Sequence, residues 1–284
     1  MNHLTIDFKP GHVQLLQQED SPAGGPRVLV TGASGLLGRA VLKEFRKRGC
    51  AVTGTAYRRA GARLLHCDLT DEDAVKQLLS QCKPQVVVHC AAERRPDVVE
   101  RHPEAADNIN VHATAVIARE AGSAVLRVPV LFGEVESPSE SAVTALWPKV
   151  LQGAAAESCP LDHCQPRFPT HTRDVAAVCW NICRAAASDG SIRGMFHYSG
   201  KEQMTKYEMA LAMARAFNLP SAHLIPLTEQ PAAEAARRPH NPRLDCSRLE
   251  VLGLSVEPRP FVSAVSDCLW PFTPDKRWRQ TVFH

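Results

Sequence analysis

The sequence predicts a doubly wound parallel α/β sheet, and three observations carry that reading. From Arg27 onward, short apolar runs alternate with segments of helical period, the pattern of parallel strands joined by crossover helices. A glycine cluster, "TGASGLLG", lies between the first of those strands and the first helix. "QVVVHCAA" is apolar almost throughout, as a strand covered on both faces must be.

Each element has its own local warrant. Ahead of the alternation, "LTIDFKPGHVQLL" switches between apolar and polar residues around Pro10-Gly11, which predicts a short appended hairpin, and "QQEDSPAGGP" reads as a flexible linker. "RVLV" is the first buried strand. "GLLGRAVLKEFRKRG" follows as a helix with Leu37, Ala40, Val41 and Phe45 on one face and Gly49 at its end. "AVTGTAY" and "RLLHCD" are the next strands. Thr70, ahead of three acidic residues, suits the N-cap of "DEDAVKQLLSQC". "PEAADNINVHATAVIAREAG" supplies a helix and "SAVLRVPVLFG" a strand. Further on, "SAVTALWPKVLQ" and "RDVAAVCWNICRAAA" are helical, "GMFHYSG" is a strand, and "MTKYEMALAMARAF" opens with a capping box, Thr205 with Glu208. "RLDCSRLEVLG" predicts a further short helix.

Composition excludes several classes of function. The chain has 284 residues, 33 of them basic and 30 acidic, for a formal charge of +3. That excess is too mild and dispersed to be a nucleic-acid or membrane footprint. No apolar run approaches the ~20 residues of a membrane helix, and "MNHLTIDFKPGH" has no basic segment followed by an apolar one, so the expected address is the cytosol. The 10 cysteines are then expected as thiols. "CPLDHC" brings Cys159, His163 and Cys164 close in sequence but lacks a C-x-x-C pair and a second ligand pair, so no metal is expected.

The glycine cluster carries the chemistry. Gly32, Gly35 and Gly38 meet the needs of a dinucleotide cradle: a tight turn, close backbone approach to a pyrophosphate, and a helix N-terminus with free N–H groups. About 20 residues beyond such a motif an acidic side chain ordinarily binds the ribose hydroxyl of NAD. Here that place holds Tyr57, Arg58 and Arg59, whose guanidinium groups suit a 2′-phosphate, so NADP is the expected cofactor. Asp68 and Leu69, after the third strand, fall where an adenine ring is cradled, and Cys90 and Ala91 border the ribose. Arg94 and Arg95 are available to a phosphate or a partner, or stand as solvated loop charges.

Arg119 to Pro129, "REAGSAVLRVP", joins a helical pattern directly to a buried strand. A doubly wound fold requires another strand and crossover here, ~30 residues or more, and that unit is missing. Reductases built on such a sheet use a tyrosine acid helped by a lysine one helical turn on. The tyrosines are Tyr57, Tyr198 and Tyr207, and four residues beyond them stand Gly61, Glu202 and Leu211. No catalytic residue is therefore assigned. Closing the gap requires the strand from Ala124 to Leu131 to slide into the vacated slot or to leave its neighbour an unpaired edge.

"TGASGLLG", "HCAA" and "RDVA" resemble the extended short-chain dehydrogenase/reductases, in the branch of dTDP-4-dehydrorhamnose reductase. More narrowly, "CAAERRPDVVE", "RFPTH", "EQMTKYEMA" and "DKRWRQTVFH" resemble the regulatory β subunits of methionine adenosyltransferase II over nearly the whole chain. That resemblance implies a Rossmann-like fold, here lacking one strand-helix unit, with a smaller C-terminal α/β region of substrate-domain type. It also implies NADP contacts from Ser34, Gly35, Leu36, Leu37, Tyr57, Arg58, Arg59, Asp68, Leu69, Cys90, Arg94 and Leu131. The family does not itself make S-adenosylmethionine; it associates with the catalytic α subunit and modulates it, and the C-terminal tail with Trp278, Arg279 and Phe283 is implied to bind that partner. The expected organisation is an N-terminal extension (1–26), a shortened NADP-binding domain (27–135), a C-terminal region (136–274) and a partner-binding tail (275–284). Two other readings stay open: a reductase of a nucleotide-linked sugar, and a product too unstable to act alone.

Overall fold

The computed structural model describes the backbone of residues 2–8, and residues 25–60, 63–118, 123–152, 158–229 and 241–273. The main sheet has seven strands: β1 (Asn2–Phe8), β2 (Arg27–Thr31), β3 (Ala51–Ala56), β4 (Leu65–His66), β5 (Val86–His89), β6 (Ser123–Val128) and β10 (Gly194–His197), in the order β10-β6-β1-β5-β2-β3-β4. Two small pairs stand outside it, β7 (Leu131–Phe132) with β9 (Thr170–His171) and β8 (Cys159–Asp162) with β11 (Leu224–Leu227). All pairs are parallel except those of β1, which runs antiparallel to both neighbours.

Helices cover both faces, as the apolar strands require. On one face α1 (Leu36–Lys47) and α7 (Thr172–Ser188) bring Val41, Phe45, Val178, Cys179 and Ile182 against Val28, Val30, Val86, Val88, Ala124 and Leu126. On the other, α2 (Glu72–Cys82) and α5 (Ala113–Ala118) pack Val75, Leu78, Ala113 and Ile117 on Leu29 and Val87. Leading into α5, α3 (Pro96–Arg101) and α4 (Pro103–Asp107) are followed by a π-helical turn, Asn108–His112. The helix expected as one piece from Pro103 is thus broken by that turn. It carries Asn110, whose side chain accepts from the Glu93 N–H at 2.9 Å and donates to the Glu93 carbonyl at 3.1 Å.

A second core belongs to the C-terminal region. There α6 (Trp147–Leu151), α8 (Lys206–Ala216) and α10 (Phe261–Leu269) enclose Trp147, Met209, Met213, Phe261 and Leu269. The short α9 (Ser247–Val251) instead places Leu249 in the core of the main sheet. The two cores therefore interleave along the chain: α7, α9 and β10, from the stretch 136–274, complete the main sheet and its cover.

Capping follows local chemistry, with one correction. Thr205 and Glu208 form the expected capping box, Glu208 Oε2 accepting from Thr205 N–H at 2.7 Å. For α2 the cap is Asp71, whose Oδ1 accepts from Asp73 and Ala74 N–H at 3.0 and 3.1 Å. Thr70 instead donates its hydroxyl to Asp68 Oδ1 at 2.7 Å. A carboxylate is the stronger acceptor for a helix N-terminus.

The largest departure is at the N-terminus. An appended hairpin was expected, yet the strand Asn2–Phe8 is built into the sheet between β5 and β6; its expected second arm lies outside the described residues. The segment from Ala124 neither slides against β5 nor leaves an open edge there, because β1 takes the intervening place. Its strand ends at Val128, just before Pro129, which has no N–H for a ladder.

Candidate functional site: a dinucleotide cleft at the carboxyl edge

The carboxyl ends of β2, β3 and β5 converge with the segment after β7, and they do so through glycine geometry and charge. Gly32 has φ +63°, and a Cβ there would lie 2.8 Å from the Ala91 nitrogen. Only glycine gives both the conformation and the approach. Gly35 N–H donates to the Gly32 carbonyl at 2.9 Å, closing the turn, and Gly35 is the N-cap of α1. A side chain at Gly38 would collide with the Gly32 carbonyl, so its absence seats the helix on the loop. No side chain caps α1, and its first turn carries no carboxylate. The helix start, with its positive end and unclaimed N–H groups, is suited to an anion.

Arginines from one helix and two loops meet on one carboxylate segment. Arg39, on α1, places Nη1 and Nη2 each 2.7 Å from the Glu140 oxygens, and its Nη1 also donates to the Ser34 carbonyl at 2.7 Å. Arg59 Nη1 reaches Glu136 at 3.3 Å and Glu140 at 3.4 Å. Arg94 donates to the Glu140 carbonyl at 2.7 Å. Burial alone would raise the Glu140 carboxyl, but hydrogen bonds from Arg39 and the Glu136 N–H, with the charge of Arg39, outweigh it and hold the group below its ordinary value. Glu134 adds pairs with Lys43 at 3.2 Å and with Arg173.

The remaining expected residues divide between cleft and core. Tyr57, Arg58 and Arg59 are exposed at the end of β3, Tyr57 with its ring 5.6 Å from that of His66. Asp68 is held in the turn by Thr70 N–H and hydroxyl. Ser34 and Leu37 are half-buried in the glycine loop and first turn. Leu36, Leu69 and Leu131 are buried and pack in the cores. Cys90 borders Gly32, its thiol pushed up by burial. Arg95 pairs with Glu93 at 2.9 Å, so it is turned to its own loop. Trp278, Arg279 and Phe283 lie outside the described residues.

Sequence reasoning missed Arg39, Glu136 and Glu140. Arg39 directly follows Gly38, a signal that was present, whereas Glu140 lies 101 residues away and has none. Tyr198 is 1% exposed, donates to the Val256 carbonyl at 3.3 Å, and has its hydroxyl pushed up by burial, so it is set in the core. His163 shares a hydrogen bond with Thr205 at 2.9 Å, and Cys164 donates to the Leu227 carbonyl at 3.3 Å. Among the described residues, no three His, Cys, Asp or Glu side chains group to hold a metal, and no helix is long and apolar enough to cross a membrane.

The family described as RmlD substrate binding domain matches residues 26–124 and 120–273, two segments that meet at the junction. Methionine adenosyltransferase 2 subunit beta from Danio rerio is 54% identical, the match covering 91% of this chain and 94% of that protein. The chain belongs to the methionine adenosyltransferase 2 beta-subunit family. That alignment has 307 positions, while 91% of 284 residues is about 258, so about 49 aligned positions have no residue in this chain. A missing strand-helix unit is of that size. Among solved structures, dTDP-4-dehydrorhamnose reductase from Bacillus anthracis in complex with NADP aligns at TM-score 0.70 and 16% identity, over 88% of this chain and 100% of that one. UDP-glucose 4-epimerase from Thermus thermophilus in complex with NAD aligns at TM-score 0.63 and 16% identity, over 87% and 100%. Both likenesses show that the beta-subunit chain has the Rossmann-like α/β fold.

Proposed function

We propose that the chain is a non-catalytic regulatory subunit that holds NADP and, through its C-terminal tail, a catalytic methionine adenosyltransferase subunit, whose synthesis of S-adenosylmethionine it modulates. The observation that carries the nucleotide reading is the uncapped start of α1 over a turn in which a Cβ at Gly32 or Gly38 would collide with backbone. Gly32, Ser34, Gly35, Leu36, Leu37 and Gly38 form the pyrophosphate cradle. Tyr57, Arg58 and Arg59 take the 2′-phosphate end, Asp68 the adenine, and Cys90 and Arg94 the inner wall, with the buried Leu69 and Leu131 behind them in the cores.

What NADP supplies when bound is anionic charge at the point where the loops after β2, β3 and β5 meet. Arg59 is held there by two long single contacts, an exposed one to Glu136 (side chains 53% and 65% exposed) and one to the more buried Glu140. Such pairs are worth at most about 1 kcal/mol, so the arginine is free to exchange carboxylate for phosphate at small cost. Arg39, doubly bonded to a Glu140 side chain that is 13% exposed, stays as the brace of the loop.

The proton-donating pair of a reductase is missing from the sequence, which supports a role without chemistry of its own. The name of the Danio rerio relative, a subunit, supports association with a catalytic partner. Calorimetry with NADPH tests the nucleotide reading, and no heat on folded protein would refute it. Comigration with catalytic α subunits on a sizing column, with altered kinetics of S-adenosylmethionine synthesis, tests the regulatory reading; separate migration at micromolar concentration would refute it.

The RmlD match favours a second reading, NADPH-dependent reduction of a nucleotide-linked 4-keto sugar. NADPH oxidation in the presence of such a sugar would establish it. General acid catalysis contributes about 10²–10⁴-fold, so loss of the tyrosine pair weighs heavily against it.

A further inference from the structure

The main sheet is closed at its centre by the beginning of the chain. Strands β5 and β6 share no hydrogen bonds; β1 lies between them, Thr5 to Phe8 opposite His89 to Val86, and Asn2 to Asp7 opposite Val128 to Ser123. The register matches the alternation in the sequence. Leu4 stands opposite Leu126, Ile6 opposite both Val88 and Ala124, and Phe8 opposite Val86. All of those partners belong to the core under α1 and α7. A slip of one residue would put His3, Thr5 and Asp7 in those places instead.

The connection to β2 is much longer than the distance it spans. Phe8 and Val28 are both paired with Val86, from opposite sides, so they are about 10 Å apart, two strand spacings. The chain between Phe8 and Arg27 has 18 residues, able to reach about 60 Å when extended. A strand on such a tether is constrained almost wholly by its ladder and register.

We propose that the opening between β5 and β6 is a strand-binding site, and that residues 2–8 are its detachable occupant, standing in for the missing strand-helix unit. The ligand it takes is an extended segment with apolar residues at alternate positions, added antiparallel to both walls. A tether of this kind gives a local concentration in the millimolar range. At micromolar protein the chain therefore fills its own opening about a thousand times more often than a second copy does, and exchange between copies appears only in concentrated solution. The proposal is independent of the nucleotide reading, since none of its residues belongs to the glycine cradle.

The test uses the full-length chain with a site-specific protease sequence inserted within residues 9–24. After cleavage, the N-terminal fragment should comigrate with the body on a sizing column, and its amides from His3 to Phe8 should exchange with deuterium at least about 100-fold slower than in the free peptide. An isotope-labelled synthetic copy of residues 2–8 should replace it, whereas a peptide with the apolar and polar positions interchanged should not. Ile6→Pro, at the position paired on both sides, should speed exchange in 86–89 and 123–128 as well as in 2–8. A fragment that separates from a body with an unchanged melt, or free-peptide exchange rates for residues 3–8 in the uncut chain, would overturn the proposal.

Discussion

Glu140 is the residue on which Arg39, Arg59 and the loop of Arg94 depend for their placement. Arg59 and Glu136 form the loose part of that cluster, so cofactor preference is expected to respond to them separately. Arg59→Ala should weaken NADPH by about 10- to 100-fold, the value of a charged hydrogen bond, with little change for NADH. Glu136→Gln should tighten NADPH by up to about fivefold, the limit set by an exposed ion pair. Calorimetric titration of both nucleotides measures each effect; equal changes for NADPH and NADH would refute the phosphate assignment. The glycines and Arg59 were legible in the sequence because their signals are local spacing after a strand. Arg39 with Glu140 was not, since two common charged residues far apart in the chain announce nothing until the fold joins them. Arg95 reads like Arg94 in sequence, and only the nearby carboxylate of Glu93 separates their roles.

Among the elements, α2 shows how fine the limit of sequence reading is. Thr70 and Asp71 both suit a cap, and the oxygens decide: the Asp71 carboxylate takes the helix N–H groups and Thr70 serves Asp68. Asp71→Ala is expected to cost about 1 kcal/mol of stability and Thr70→Ala less than half of that. Thermal melts measure the difference, and equal losses would contradict the assigned cap. The capping box of α8 was legible because both partners lie within three residues. β1 was half legible: alternation predicts a strand but not its neighbours, and a local turn signal at Pro10-Gly11 pointed to a hairpin while the nearby sheet had an opening to fill. The π turn at Asn108–His112 had no sequence signature; its reason is the pair of hydrogen bonds that Asn110 makes to Glu93.

For the whole molecule, two buried imidazoles set the response to acid. Burial lowers His89 to about 4, and burial with the charge of Arg259 lowers His171 to about 4, against an ordinary value near 6.5. Their folded values are depressed, so below pH ~6.5 the unfolded chain binds protons that the native chain refuses. Stability is therefore full above pH ~6.5 and declines as pH falls toward 4, by at most about 2 kcal/mol for each histidine between pH 7.5 and 5. Chemical denaturation at those two pH values measures the slope, and a flat profile would contradict it. The alternating architecture and both faces of helices were legible because buried strands and amphipathic helices differ in period; the interleaving of the two cores was not, since it depends on long-range association of α7 and β10 with the sheet. Since β1 runs against its neighbours, Asn2 stands opposite Val128, at the same edge of the sheet as the cleft. An affinity handle fused ahead of it would emerge beside the glycine cradle, and one fused to the last residue would extend the tail proposed to bind the partner. The exposed turn from Asp189 to Ser191, ahead of β10 at the opposite edge of the sheet, is a place where a label stays clear of the cradle.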